Sequence, residues 1–166
     1  MPSVKDIIQS KKDNTDASVH MAGDVNFVHY DGEGNILGEY DGHNVVVLGG
    51  LQNMALLLLS DQSGSAVDFD YIAVGTSSTA ATNTETALVA EDSRSAGAGT
   101  ITSTTLSNDT AQLQVTFAIT GADRAIGESG VFSSASAGTM LCRKTFSDIN
   151  VSTGDSLQVT WKVKFA

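Results

Sequence analysis

The residues of this chain that are able to do chemistry are few, and their spacing decides what they can do. His20, His29 and His43 have no partner at the short intervals by which imidazoles and carboxylates share a metal ion. They read as ordinary strand or surface residues, and no metal is assigned. Asp31, Glu33 and Asn35 alternate like the opening of a calcium loop, but Ile36 stands where that loop needs its sixth-position glycine and Gly42 where it needs its twelfth-position glutamate. A hairpin turn explains them better. Gly127-Glu128-Ser129-Gly130 lacks the Gly-x-Ser-x-Gly spacing of a hydrolase nucleophile. Gly49-Gly50 precede an apolar segment, with no lysine following to neutralise a phosphate. Cys142, between Leu141 and Arg143 in a strand pattern, reads as a small core residue. Asn108-Asp109-Thr110 and Asn150-Val151-Ser152 match the glycosylation sequon without other support. Glu128 next to Arg124, and Arg143 beside Lys144, are placed to form ion pairs across neighbouring strands, worth little if exposed. Acid, base and nucleophile are not assembled, so the expectation is a protein that is not an enzyme and takes no cofactor.

The elements that must position these residues are mostly strands. In the last of them, Leu157, Val159, Trp161, Val163 and Phe165 alternate with Gln158, Thr160, Lys162 and Lys164. One face packs, with the only tryptophan in its middle, and the other meets water. Leu113, Val115, Phe117 and Ile119 alternate in the same way. Shorter strands are expected at 24–30 and 36–40 around the 31–35 turn, at 45–48 as a continuous buried run, and at 69–74, 126–133 and 139–146. One or two exposed strands are expected within 91–106. Residues 75–83 read as a loop and 85–90 as one helical turn. Leu51, Met54, Ala55, Leu58 and Leu59 recur at helical spacing, predicting a short helix over 51–60 that is apolar nearly all round and therefore buried in the core or at a subunit contact. The expected fold is mainly β, an antiparallel β-sandwich or jelly-roll-like domain over 21–166 with one short buried helix. Residues 1–20 form an extended N-terminal arm, in which only Val4, Ile7 and Ile8 are large and apolar, too little surface to sustain a fold of its own.

The 166 residues suit a single domain with a real core, and one cysteine permits no internal disulfide. Net charge is −10. Residues 1–70 hold three lysines against eleven acids, net −8, and 71–166 hold six basic residues against eight acids, net −2. No basic cluster exists to contact phosphates, so nucleic acid is not an expected partner. The longest apolar run, Met54 to Leu59, is far too short to span a bilayer and the N-terminus lacks a secretory leader's apolar run, so no membrane association is expected.

Laid out in this order, the segments resemble small virion proteins of tailed bacteriophages. The resemblance is carried by Asn44-Val45-Val46 and Gly50-Leu51, by Tyr71-Ile72-Ala73-Val74-Gly75-Thr76 with the Ser, Thr and Ala rich loop reaching Thr86-Ala87-Leu88, and by the alternating strand 112–120. It continues through Ile126-Gly127-Glu128-Ser129-Gly130-Val131-Phe132, Met140-Leu141-Cys142-Arg143-Lys144-Thr145-Phe146, and Asp155-Ser156-Leu157 leading into Val159-Thr160-Trp161. It covers about 44–165 and omits the arm. Such motifs occur in head and tail proteins alike.

What the resemblance implies is a virion structural protein. The favoured expectation is a capsid decoration or cement protein, a homotrimer assembled in the host cytoplasm that binds the major capsid protein or another virion protein and stabilises the shell. Docking is expected through Val4, Ile7 and Ile8, while Leu51, Met54, Leu58 and Trp161 serve the core or a subunit contact. The alternatives are a tail-fibre or baseplate module with loops 75–83 and 134–138 pointing outward, and a carbohydrate-binding β-sandwich.

Overall fold

The computed structural model describes residues 21–57 and 67–165. The arm with Val4, Ile7 and Ile8 lies outside the described residues, as does Leu58. Strands β1 (Met21–Tyr30) and β2 (Ile36–His43) form the expected hairpin. Its turn is organised by Asp31, whose carboxylate accepts the backbone N–H of Glu33 at 2.9 Å and of Asn35 at 2.8 Å. Then come β3 (Val45–Val46), α1 (Leu48–Leu57), β4 (Tyr71–Gly75), β5 (Glu91–Ala96), β6 (Ala98–Thr102) and β7 (Thr110–Ala118). The chain finishes with β8 (Arg124–Phe132), β9 (Met140–Val151) and β10 (Ser156–Phe165).

Two five-stranded antiparallel sheets result, one ordered β2-β1-β10-β7-β6 and the other β3-β9-β8-β4-β5. The final strand is central in the first sheet, paired with β1 on one side and β7 on the other. Its inward residues Leu157, Val159 and Trp161 are at most 1% exposed. They share one core with Val25, Phe27, Val115 and Phe117 of the same sheet and with Ile72, Val74, Ile126, Val131 and Ile149 of the other. The fold is a β-sandwich, and the strict alternation in 112–120 and 156–165 is what places both strands against that core.

The 45–60 region departs from expectation. Strand pairing stops after Val46, Val47 is buried alone, and the helix begins at Leu48, so Gly49 and Gly50 lie inside it. Far from being buried nearly all round, α1 leaves Leu48 and Leu51 each 47% exposed and Leu57 41% exposed, while its inward face carries Gly50 and Asn53. The reason is close approach to β9. A Cβ at Gly50 would sit 2.4 Å from the Leu141 carbonyl oxygen, so the side without a side chain is the side that packs. The inward Asn53 is satisfied by both backbone groups of Val67, at 2.7 and 3.0 Å.

Both possible strands in 91–106 exist and are largely exposed, and the 85–90 helical turn does not form. Between β6 and β7, Asn108 takes a positive φ of 61° and Asp109 folds the chain back on itself. The Asp109 carboxylate accepts the N–H groups of Leu106, Thr104 and Thr105, each at 2.7 Å, and the Thr110 hydroxyl at 2.9 Å. These donors, the Leu106 amide first among them, hold the Asp109 carboxyl well below its ordinary value of 3.8. A depressed folded-state pKa contributes stability above the unfolded value and loses it as pH falls through the folded one. Asp109→Asn is therefore expected to melt lower than the parent at neutral pH, and the gap in thermal melts should narrow as pH drops below 3.8; a gap that stays constant into acid refutes the assignment.

Candidate functional site

The outer face of the β3-β9-β8-β4-β5 sheet carries a second layer made of loops. A bulge between Ile126 and Glu128 lets Ile126, Ser129 and Val131 face the core while Glu128 and Phe132 face outward. Arg143 of β9 stands opposite Gly130, on the same outward face. Its Nε donates to Glu128 Oε2 at 2.8 Å, its Nη1 to Glu85 Oε1 at 2.8 Å, and its Nη2 to the Thr79 carbonyl at 3.0 Å. Glu128 accepts the backbone N–H of Val89 at 3.1 Å and of Ala90 at 2.7 Å. The side chains of Glu128 and Arg143 are both 0% exposed.

The sequence sets Glu128 next to Arg124, in a pair worth little if exposed; the structure gives Glu128 to Arg143 and buries both. Loop 76–90 has no ladder of its own, and its amides at 89 and 90 are paired by the Glu128 carboxylate, which Arg143 neutralises. Arg124 pairs with Asp92 instead, at 2.7 Å. Gly75, directly opposite Glu128 on β4, makes room for the arrangement. A Cβ there would lie 2.4 Å from the Ala90 carbonyl oxygen and 2.7 Å from Glu128 Oε1. Beneath the loop, Leu88 packs with Val47, Ala73, Phe132 and Met140 in a small second core.

Arg94 of β5 does the same for loop 133–139. Its Nη1 donates to the carbonyls of Ser134 at 2.9 Å and Ala137 at 2.8 Å, Glu91 holds its other edge at 2.6 Å, and its guanidinium carbon lies 3.7 Å above the Phe132 ring. Two arginines thus fix the two loops whose outer residues, including Thr79, Ala80, Ala135 and Ser136, are exposed. Chemically the arrangement is a preset surface of hydroxyls, methyls and main-chain groups, and it holds no assembled nucleophile. A surface fixed before contact loses little conformational freedom on binding.

Of the residues expected in the core or at a subunit contact, Trp161 is core, while Met54 is half-buried and lines an apolar groove at whose wall Trp161 also lies. Leu51 is outside both. Cys142 is fully buried, and burial pushes its thiol up to about 12, which suits a packing residue. Of the histidines, His29 is buried and pairs with Asp155 at 2.8 Å, His43 is exposed and pairs with Asp24 at 2.6 Å, and His20 is outside the described residues. The roles of Glu85 and Arg94 escape the sequence reading. The available signal was a charge set among small and apolar neighbours, as Glu128 is between Gly127 and Ser129 and Arg143 is after Leu141 and Cys142. The chain matches no family model, no curated protein and no solved structure.

Proposed function

We propose that the protein is a structural component of a tailed-phage virion, a decoration or cement protein that binds the assembled capsid shell as an oligomer, a trimer by the resemblance. One observation supports this reading above the others. Three of the segments that carry the resemblance, 71–88, 126–132 and 140–146, converge on the Glu128–Arg143 clamp. Their shared work is to pin loops to a sheet, which suits a protein that acts by adhesion. A protein that binds only the assembled shell shifts the assembly equilibrium toward it. The exposed Leu48 and Leu51 of α1 supply an apolar surface where copies of the chain would meet, and Val4, Ile7 and Ile8 supply the grip on the shell.

Purified protein mixed with empty shells is expected to co-sediment with them and raise their melting temperature, and deletion of residues 2–12 should abolish attachment while leaving the domain folded. Undiminished attachment of the truncated protein refutes docking by the arm. Antibody labelling of virions decides position: signal over the faceted head supports decoration, and signal confined to the tail supports the fibre or baseplate module.

A further inference from the structure

Among the described residues, nothing covers the core-facing side of the first sheet at its β6–β7 edge. Ile101 stands opposite Ala111, and Gly99 opposite Leu113, so β6 directs these positions to the same side as the buried Leu113 and Trp161. Yet Ile101 is 65% exposed. An apolar groove of about 580 Å³ opens there, walled by Met54 and Leu57 of α1, by Phe69, and by Ile101, Trp161 and Phe165. Such a groove stays wet at a cost unless apolar side chains fill it.

We propose that the groove is the seat of this chain's own N-terminal arm in the free protein, taking Val4, Ile7 and Ile8. Met21, the first described residue after the arm, is paired with Phe165, which lines the groove, so the arm begins at the groove's end. Thirteen Cα-to-Cα steps lead from Ile8 to Met21, a reach of up to about 43 Å. Charge favours the same match. Residues 1–12 hold three lysines against one aspartate on a chain whose net charge is −10, and the one ionisable group lining the groove among the described residues is Asp68. The edge of β6 adds a second attraction. Ala98 to Thr102 carry no charge and no proline, and no described strand pairs with their outer side, so an extended segment can hydrogen-bond along it. The seat concerns the free chain and stands apart from whether the partner is a capsid. If the arm also grips a shell, groove and shell compete for the same three side chains.

Two measurements on the full-length protein test this. At micromolar dilution, Ile8→Cys combined with Ile101→Cys is expected to close an intramolecular disulfide under mild oxidation, with the fully buried Cys142 not competing. Gly99→Leu fills the groove without strain, because a Cβ there meets nothing within 4 Å, and it should raise the rate of tryptic cleavage after Lys5 at least ten-fold over the parent. A disulfide formed only between chains assigns the groove to a second copy and overturns the proposal. So does equal cleavage of the Gly99→Leu and parent proteins.

Discussion

Arg143→Ala is expected to lower stability by about 3–5 kcal/mol, the cost typical of removing one partner from a buried ion pair. In a chain of 166 residues this should appear as a drop in melting temperature of roughly 6–20 °C, at about 2–4 °C per kcal/mol. The size follows from what is left behind. Glu128 stays buried with its two loop amides but without its cation, while Glu85 and the Thr79 carbonyl lose the donors that tie the loop to the sheet. Loop 76–90 should become the first site of proteolysis. The double variant Glu128→Gln with Arg143→Met separates charge from packing. It removes both ions and keeps one acceptor, so the amide oxygen serves either the Val89 or the Ala90 N–H while the amide NH2 is left against the other, and the variant should recover only part of the loss. If the double variant is as damaged as the sum of the two single ones, the clamp's value lies in side-chain packing and the ion-pair account fails.

This clamp also marks the boundary of what the sequence discloses. Strands 110–118 and 156–165 are legible to within a residue or two because one face of each is buried and one is wet, which writes a period of two into the residue types. β8 is covered on both sides, by the core and by the loop layer, and every residue from Ile126 to Phe132 is buried. Its sequence shows no alternation, and a glutamate inside it looks like a surface position. Loop 76–90 is illegible for the complementary reason. Local bonds such as Thr79 N–H to Ser77 Oγ and Thr82 N–H to Glu85 shape its turns, but its attachment to the sheet comes from Glu128 and Arg143, 38 to 64 residues away. The helix misleads differently. Its apolar spacing is real, but Gly50 decides which side approaches β9, and Leu51, which looks like a core residue, is turned out. Composition alone cannot tell a leucine that faces a core from one that is exposed, as Leu48 and Leu51 are.

Trp161→Ala should cost about 3–5 kcal/mol, the range for truncating a large buried aromatic, and it acts at the point where the two sheets are tied together. The indole is 1% exposed and packs across the interface between sheets. Its Nε1 donates to Ser129 Oγ at 3.2 Å, and that hydroxyl in turn donates to the Ala73 carbonyl at 2.8 Å, so β10, β8 and β4 are joined by one chain of hydrogen bonds through the core. The two parts of the effect are separable. Ser129→Ala keeps the ring and leaves the indole N–H buried without an acceptor, a loss of about 1–3 kcal/mol. Trp161→Phe keeps most of the apolar volume and removes the donor, leaving the serine bonded to Ala73, and should cost less than the alanine variant. Denaturant melts of the three proteins should rank Trp161→Ala as the least stable. Equal losses for Trp161→Ala and Ser129→Ala would mean that the hydrogen-bonded chain, and not the packed ring, holds the sheets in register, and the alternation in the last strand would then owe its importance to a polar contact.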